Sequence, residues 1–172
     1  MAEVGFYHLT RTPLEEALPR LLEKALAAGK RAVVRVAEAE RLELLNRALW
    51  TYGNDSFLPH GTRADGFAEE QPVYLTTGDE VPNGASVLVL LDGAEADDLG
   101  GFERCLALFD GRDDEAVARA RERWRAAVAA GHRVTYWQQN ERGGWVRAGA
   151  AGGEQGAAVG RPDPSRAPGT PV

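Results

Sequence analysis

Five consecutive apolar residues, Val87-Leu88-Val89-Leu90-Leu91, sit near the middle of the 172-residue chain. Successive side chains of a strand point to opposite faces, so this run makes a strand only in a sheet that is covered on both sides. It is far short of the ~20 apolar residues that span a bilayer. Sheets covered on both sides are built from strands alternating with helices. The rest of the chain shows that alternation. Residues 3–9 read as a first strand. Pro13 opens a helix in which Leu14, Leu18, Leu21, Leu22 and Ala25 recur at helical spacing, and Gly29 stops it. Arg31–Val36 reads as a second strand, and Leu42, Leu45 and Leu49 stripe a helix over 38–50. A loop rich in Gly, Asn, Asp and Pro follows from Thr51 to Gln71, then strands at Pro72–Thr76 and Ser86–Leu91. Phe102–Phe109 fits either a helix or a strand. Asp110–Ala130 is predicted as a long helix, with Asp113, Asp114 and Glu115 in its first turn where the helix dipole favours acids. Gly131 caps it and His132–Gln138 is a last strand. The predicted fold class is α/β: a single domain with a mostly parallel sheet and helices on both faces, in a Rossmann-like outline.

The length suits one domain, placed at residues 1–147. From Ala148 onward the chain holds six of its 20 Gly, four of its nine Pro and no aromatic residue. Such a stretch buries too little to offset its ordering entropy, so 148–172 is read as a disordered tail. The one cysteine, Cys105, excludes a disulfide framework and a multi-cysteine zinc site, and fits a reducing compartment. Met1 to Thr10 carries Glu3 and His8 without the basic flank and apolar stretch of a secretory signal. The expected setting is the cytoplasm, with no membrane contact.

The net charge of −6 argues against general affinity for DNA phosphates. The charge is unevenly spread: residues 1–111 sum to −9, residues 112–147 to +3, and residues 148–172 to 0. A local basic surface on an acidic body suits a short acidic peptide better than a long polyanion.

A search for reaction chemistry finds little. No Gly-x-Gly-x-x-Gly follows the first strand, where Leu9-Thr10-Arg11-Thr12 stands, and no Gly-x-x-x-x-Gly-Lys-Ser/Thr occurs. The histidines His8, His60 and His132 lie on separate elements without metal-ligand spacing. Asp92, Glu95, Asp97 and Asp98 read as a solvated acidic loop, lacking the ligand alternation of an EF-hand. Cys105 has no base near it in sequence and reads as a buried thiol. No catalytic group, metal or cofactor is expected.

Two constellations read instead as binding surfaces. On the last helix, Val117, Arg121, Trp124, Arg125 and Val128 fall within one arc. The Arg121/Arg125 pair repels itself unless an anion lies between, and guanidinium pairs suit carboxylates. Trp124 is either a flat apolar wall beside them or a core residue beneath a solvated arginine rim. The second constellation is Trp50-Thr51-Tyr52 followed by Ser56-Phe57-Leu58-Pro59-His60, whose aromatics are either a lid on the core or anchors for a partner.

Phe6-Tyr7-His8-Leu9, Leu49-Trp50-Thr51-Tyr52 with Ser56-Phe57-Leu58-Pro59-His60, and Ala120-Arg121-Glu122-Arg123-Trp124 together resemble the chi subunit family of the bacterial DNA polymerase III holoenzyme. The resemblance spans about residues 3–140 and leaves the tail outside it. It implies an α/β fold without a nucleotide, and a non-catalytic accessory subunit of the clamp loader. It further implies a grip on the acidic, Phe-ending C-terminal tail of single-stranded DNA-binding protein, with Arg121 and Arg125 meeting carboxylates and Trp124 supplying the apolar wall; Val117 and Val128, on the same helical face, are counted with this site. Through Trp50, Phe57 and Pro59 it implies a second partner, a psi-like subunit or an XPD-type helicase, with DNA contacted indirectly. A small nucleotide- or metabolite-binding enzyme and a direct single-stranded DNA binder stand as the alternatives.

Overall fold

A computed structural model describes residues 2–51, 58–91, 93–96, 99, 101–142 and 144–152. In chain order these form β1 (Glu3–Leu9), α1 (Leu14–Ala27), β2 (Ala32–Arg35), α2 (Ala39–Thr51), β3 (Gly61–Thr62), β4 (Val73–Thr76), β5 (Val87–Leu91), β6 (Arg104–Asp110), α3 (Asp114–Ala129), β7 (Arg133–Gln139) and β8 (Trp145–Gly152). The strands make one sheet in the order β3-β4-β2-β5-β6-β1-β7-β8. Every neighbouring pair is parallel except β7–β8. The fold is the expected α/β, mostly parallel sheet with helices on both faces.

The apolar run divides between two cores as a doubly covered strand must. Val87, Val89 and Leu91 pack with Leu18 and Leu22 of α1 and Leu45 and Leu49 of α2. Leu88 and Leu90 face the other way, into the core under α3 with Phe6, Cys105 and Tyr136. Phe102–Phe109, ambiguous in sequence, resolves to β6, which lies between β5 and β1. The long helix begins four residues later than Asp110, because Asp110 ends β6. Asp113 caps it by accepting hydrogen bonds from the backbone N–H of Glu115 (3.0 Å) and Ala116 (3.3 Å). The chain leaves α3 through Gly131 at φ +86°, a left-handed conformation that favours glycine.

Two expectations are corrected. The stretch Thr51–Gln71 contains β3 and two short 3₁₀ turns, Arg63–Asp65 and Ala68–Glu70. The tail expected from Ala148 instead begins as sheet: residues 148–152 belong to β8, antiparallel to β7. Glycine and alanine hide this strand in sequence, since they carry no β-branched signal. Its entry is anchored by Trp145, whose ring meets Tyr7 edge-on at 5.0 Å, while Trp137 stacks on Tyr7 at 6.0 Å. The rest of the expected tail, 153–172, lies outside the described residues.

Candidate functional site

The connection after β1 passes to the α1 face and the connection after β6 to the α3 face, although β1 and β6 are neighbours. In doubly wound sheets this divergence opens the crevice that takes a ligand. Here it leaves a cleft of about 180 Å³ lined by Phe6, Phe109, Asp110, Asp113, Arg119 and Arg123, among others.

The backbone donors that follow β1 are occupied by the chain itself. In the β1–α1 loop the N–H groups of Thr10, Arg11 and Thr12 all donate to Oε1 of Gln139, at 3.0, 2.8 and 3.2 Å. Gln139 Nε2 donates in turn to Thr12 Oγ1 at 2.7 Å. Successive N–H groups at this place in the fold make a nest for a phosphate in nucleotide binders. Here a neutral side chain, buried on β7, fills it. The start of α3 is no more inviting to an anion. Asp113 already caps it, and Asp114 and Glu115 stand in its first turn.

The β5–β6 connection is clasped by two guanidinium groups. Arg35 Nη1 donates to Glu95 O (3.2 Å), and Arg123 Nη2 donates to Gly93 O (2.7 Å) and approaches Glu95 Oε1 (3.4 Å). Cys105 lies buried in the sheet, and burial pushes its thiol pKa up to about 12, despite Arg35 and Arg123. It remains a protonated, inert thiol at neutral pH. His8, buried at the end of β1, shares a short hydrogen bond through Nδ1 with the Tyr136 hydroxyl. Burial lowers its pKa, against the raising effects of the Gly111 backbone and Asp110. Among the described residues no group of three or more His, Cys, Asp or Glu could hold a metal ion.

The outer flank of α3 is different. About 100° per residue places Arg121 and Arg125 about 40° and 80° around the helix from Val117. Val117, Ala120, Trp124 and Ala127 face inward. Arg119 and Arg123 occupy the opposite flank, toward the cleft, where Arg119 Nη1 lies 3.9 Å from Glu115 Oε2. Arg121 is half-buried at the rim beside half-buried Val128, and Arg125 is exposed. Among the described residues no acid pairs with Arg125.

Trp124 corrects the sequence reading. It is 4% exposed, with its ring 5.8 Å from Phe6 and 6.1 Å from Tyr136. Among the described residues its Nε1–H has no hydrogen-bond partner. It is the core residue of the two alternatives and presents no wall to solvent. Val117 is buried as well. Of the proposed apolar wall, the half-buried Val128 is what reaches the surface.

At the far edge of the sheet Trp50 stands in the last turn of α2 and is 53% exposed, which rules out its role as a lid. His60 stands behind it at 4.6 Å between ring centres. The His60 ring nitrogens lie 2.7 Å from Leu58 O and 3.3 Å from Asn46 O, tying the loop to α2. Leu58 is buried and Pro59 half-buried. Phe57, expected in the same surface, lies outside the described residues, as do Tyr52 and Ser56. The α3 flank and the Trp50 edge are therefore separate surfaces. Gln139 and Arg35 were not singled out by the sequence, and Arg123 entered only within the Ala120–Trp124 motif, with no internal role assigned. A glutamine ending a strand carries no motif, and which arginines become internal clasps depends on where the β5–β6 connection lies.

The arrangement defines a doubly wound α/β protein in which a side chain of the chain itself fills the backbone nest after β1. The sequence model of the family described as "DNA polymerase III chi subunit, HolC" matches residues 1–135, and the chain belongs to that family of accessory subunits of the replicative polymerase. A protein of Rickettsia prowazekii (strain Madrid E) named "Probable DNA polymerase III subunit chi" is 35% identical over 91 residues. The aligned stretch covers 53% of this chain and 55% of that protein, just over half of each. Gln139 and β8 lie beyond the stretch that the family model matches. No helix among the described residues is long and apolar enough to cross a membrane.

Proposed function

We propose that this protein is a non-catalytic adaptor of the clamp loader, linking it to the acidic C-terminal tail of single-stranded DNA-binding protein. The observation that carries this reading is the Arg121/Arg125 flank of α3. It is a cationic rim, turned away from the Glu115 and Glu95 carboxylates that engage Arg119 and Arg123. A peptide with several carboxylates would meet the exposed Arg125 guanidinium beside Arg121, and half-buried Val128 would give its aromatic end a small apolar step. Trp124 serves this site from beneath, holding α3 to the sheet. The filled nest and the inert Cys105 thiol support a role without catalysis. The same reading assigns the edge with Trp50, Pro59 and Phe57 to a second, loader-side partner, a psi-like subunit or an XPD-type helicase. The fold runs through β8, five residues past the domain end expected at residue 147.

Calorimetric titration with a peptide ending Asp-Asp-Ile-Pro-Phe tests the tail site. One-to-one binding that weakens with salt and with removal of the terminal Phe is expected. Arg125→Glu is expected to weaken it by about 30-fold or more, the range of a binding hot spot, with the melting temperature unchanged. Equal binding by Arg125→Glu and the parent would remove this flank from the site. Binding of a labelled single-stranded oligonucleotide without the protein partner would favour direct DNA contact instead.

A further inference from the structure

Phe67 is the most exposed large apolar side chain among the described residues, at 76%. It also stands at φ 54°, ψ 37°, in the left-handed region that an aromatic residue rarely adopts. An exposed ring in a strained backbone gains nothing for the core, and such outliers gather where a ligand or partner is met.

The loop around it is rigidly made. Asp65 Oδ2 accepts from the Thr62 N–H (2.8 Å) and from Thr62 Oγ1 (3.2 Å), closing the turn that precedes Phe67. Gln71 Nε2 donates to Gly66 O at 3.3 Å, and the Glu70 N–H donates to Phe67 O at 2.9 Å. These bonds hold the ring outward instead of letting the loop fold it back.

Its place matters too. Phe67 follows edge strand β3 by a few residues, and Trp50 packs on His60, the residue just before β3. Two exposed aromatics thus flank one sheet edge. Leu44, also exposed, lies on the other flank of α2, about 120° from Trp50, and does not join them. The exposed charges of this edge are Glu43, Asp65, Glu69 and Glu70 against Arg31, Arg47 and Arg63, an excess of one acid; Glu43 pairs with Arg47, and Arg31 donates to the Glu69 carbonyl, leaving the Asp65, Glu69 and Glu70 carboxylates to set the sign.

We infer that Phe67 and Trp50 form one docking surface, with Phe67 its outer anchor, and that its occupant is a basic segment bearing apolar side chains on a protein partner. The inference rests on the loader-side reading of the Trp50 edge, and it adds a residue and a partner chemistry to that reading. Aromatic anchors within a charged rim are the usual carriers of binding energy, and the acids set the sign of the partner.

The test uses Phe67→Gly, because glycine adopts this backbone without strain. Purified psi subunit and XPD-type helicase are the two probes, titrated against the parent, Phe67→Gly, Trp50→Ala and Glu69→Lys/Glu70→Lys. For whichever probe binds the parent, Phe67→Gly should lose about tenfold in affinity or more while its melting temperature holds or rises. The lysine pair should weaken binding most at low salt. A drop in melting temperature with affinity within about twofold would make Phe67 a packing residue and overturn the inference. If Trp50→Ala loses binding and Phe67→Gly does not, the edge reading stands and the inference fails. If neither probe binds the parent, or Trp50→Ala binds as the parent does, the edge reading itself falls, and the inference with it.

Discussion

The crevice at the carboxyl ends of β1 and β6 and the outer rim of the molecule treat polar groups in opposite ways. At the carboxyl ends of β1 and β7 three backbone N–H groups converge on Gln139, and beside the crevice Arg35 and Arg123 close on the Gly93–Glu95 connection. On the rim Arg125, Trp50 and Phe67 face solvent. A nucleotide-binding frame needs an empty nest, and a scaffold for partners needs a stiff one. Filling the nest with a side chain from β7 turns a ligand site into a strut tying the β1–α1 loop to the neighbouring strand. What the crevice no longer recognises is left to surfaces that the helices and sheet edges carry outward.

Trp124 is where the comparison breaks most visibly if it is wrong, because it lies under the rim yet belongs to the interior. Trp124→Ala removes a ring that packs on Phe6 and Tyr136. It is expected to cost about 3–5 kcal/mol in urea denaturation, the usual range for a buried tryptophan. A loss below about 1 kcal/mol would mean the ring is not core, and the apolar wall beside Arg121 and Arg125 would return. Tail-peptide affinity per folded molecule should fall far less than in Arg125→Glu.

Gln139 sharpens the other side of the comparison. Gln139→Leu leaves the Thr10, Arg11 and Thr12 amides without their acceptor, at an expected cost of about 1–3 kcal/mol. Gln139→Glu keeps an acceptor for those amides and loses the donor to Thr12 Oγ1, so it should cost less than the leucine variant. Equal losses would show that side-chain shape at this position outweighs the nest.

How much of this was readable in the sequence follows from where each constraint is local. The β5 run and the leucine stripes of α1 and α2 reveal the layers, because their apolar spacing records both faces of the sheet. The strand β8 was missed because its Gly and Ala residues record nothing; register with β7 and the Trp145–Tyr7 contact hold it. Periodicity placed Val117, Arg121, Trp124, Arg125 and Val128 in one arc, but could not say which part of that arc faces the sheet. That is set by Phe6 and Tyr136, from strands far apart in the chain. The result moved Trp124 inside and left the arginines at the rim. Phe67 escaped notice because a lone aromatic in a polar loop becomes informative only once its backbone angle and exposure are known.

The smallest effect expected is on pH, and its sign tests whether the crevice is as dry as its contacts imply. Burial is the main influence on His8 and lowers its pKa, while the Gly111 backbone and Asp110 raise it less. The unfolded chain therefore takes up a proton near the ordinary histidine value of about 6.5, while the folded chain resists until lower pH. Between those two values the unfolded state binds more protons, so stability falls as pH falls and is fully present above the unfolded value. The Tyr136 hydroxyl faces Nδ1, and a Cβ added at Gly111 would overlap the ring, so His8 has little room to swing out and charge in water. Urea midpoints measured from pH 7.5 down to 5.5 should decline in the parent, with part of the decline missing in His8→Gln. An equal decline in both would place the responsible proton elsewhere. A steeper decline in His8→Gln would mean that folding raises the His8 pKa, and that the crevice around it holds water.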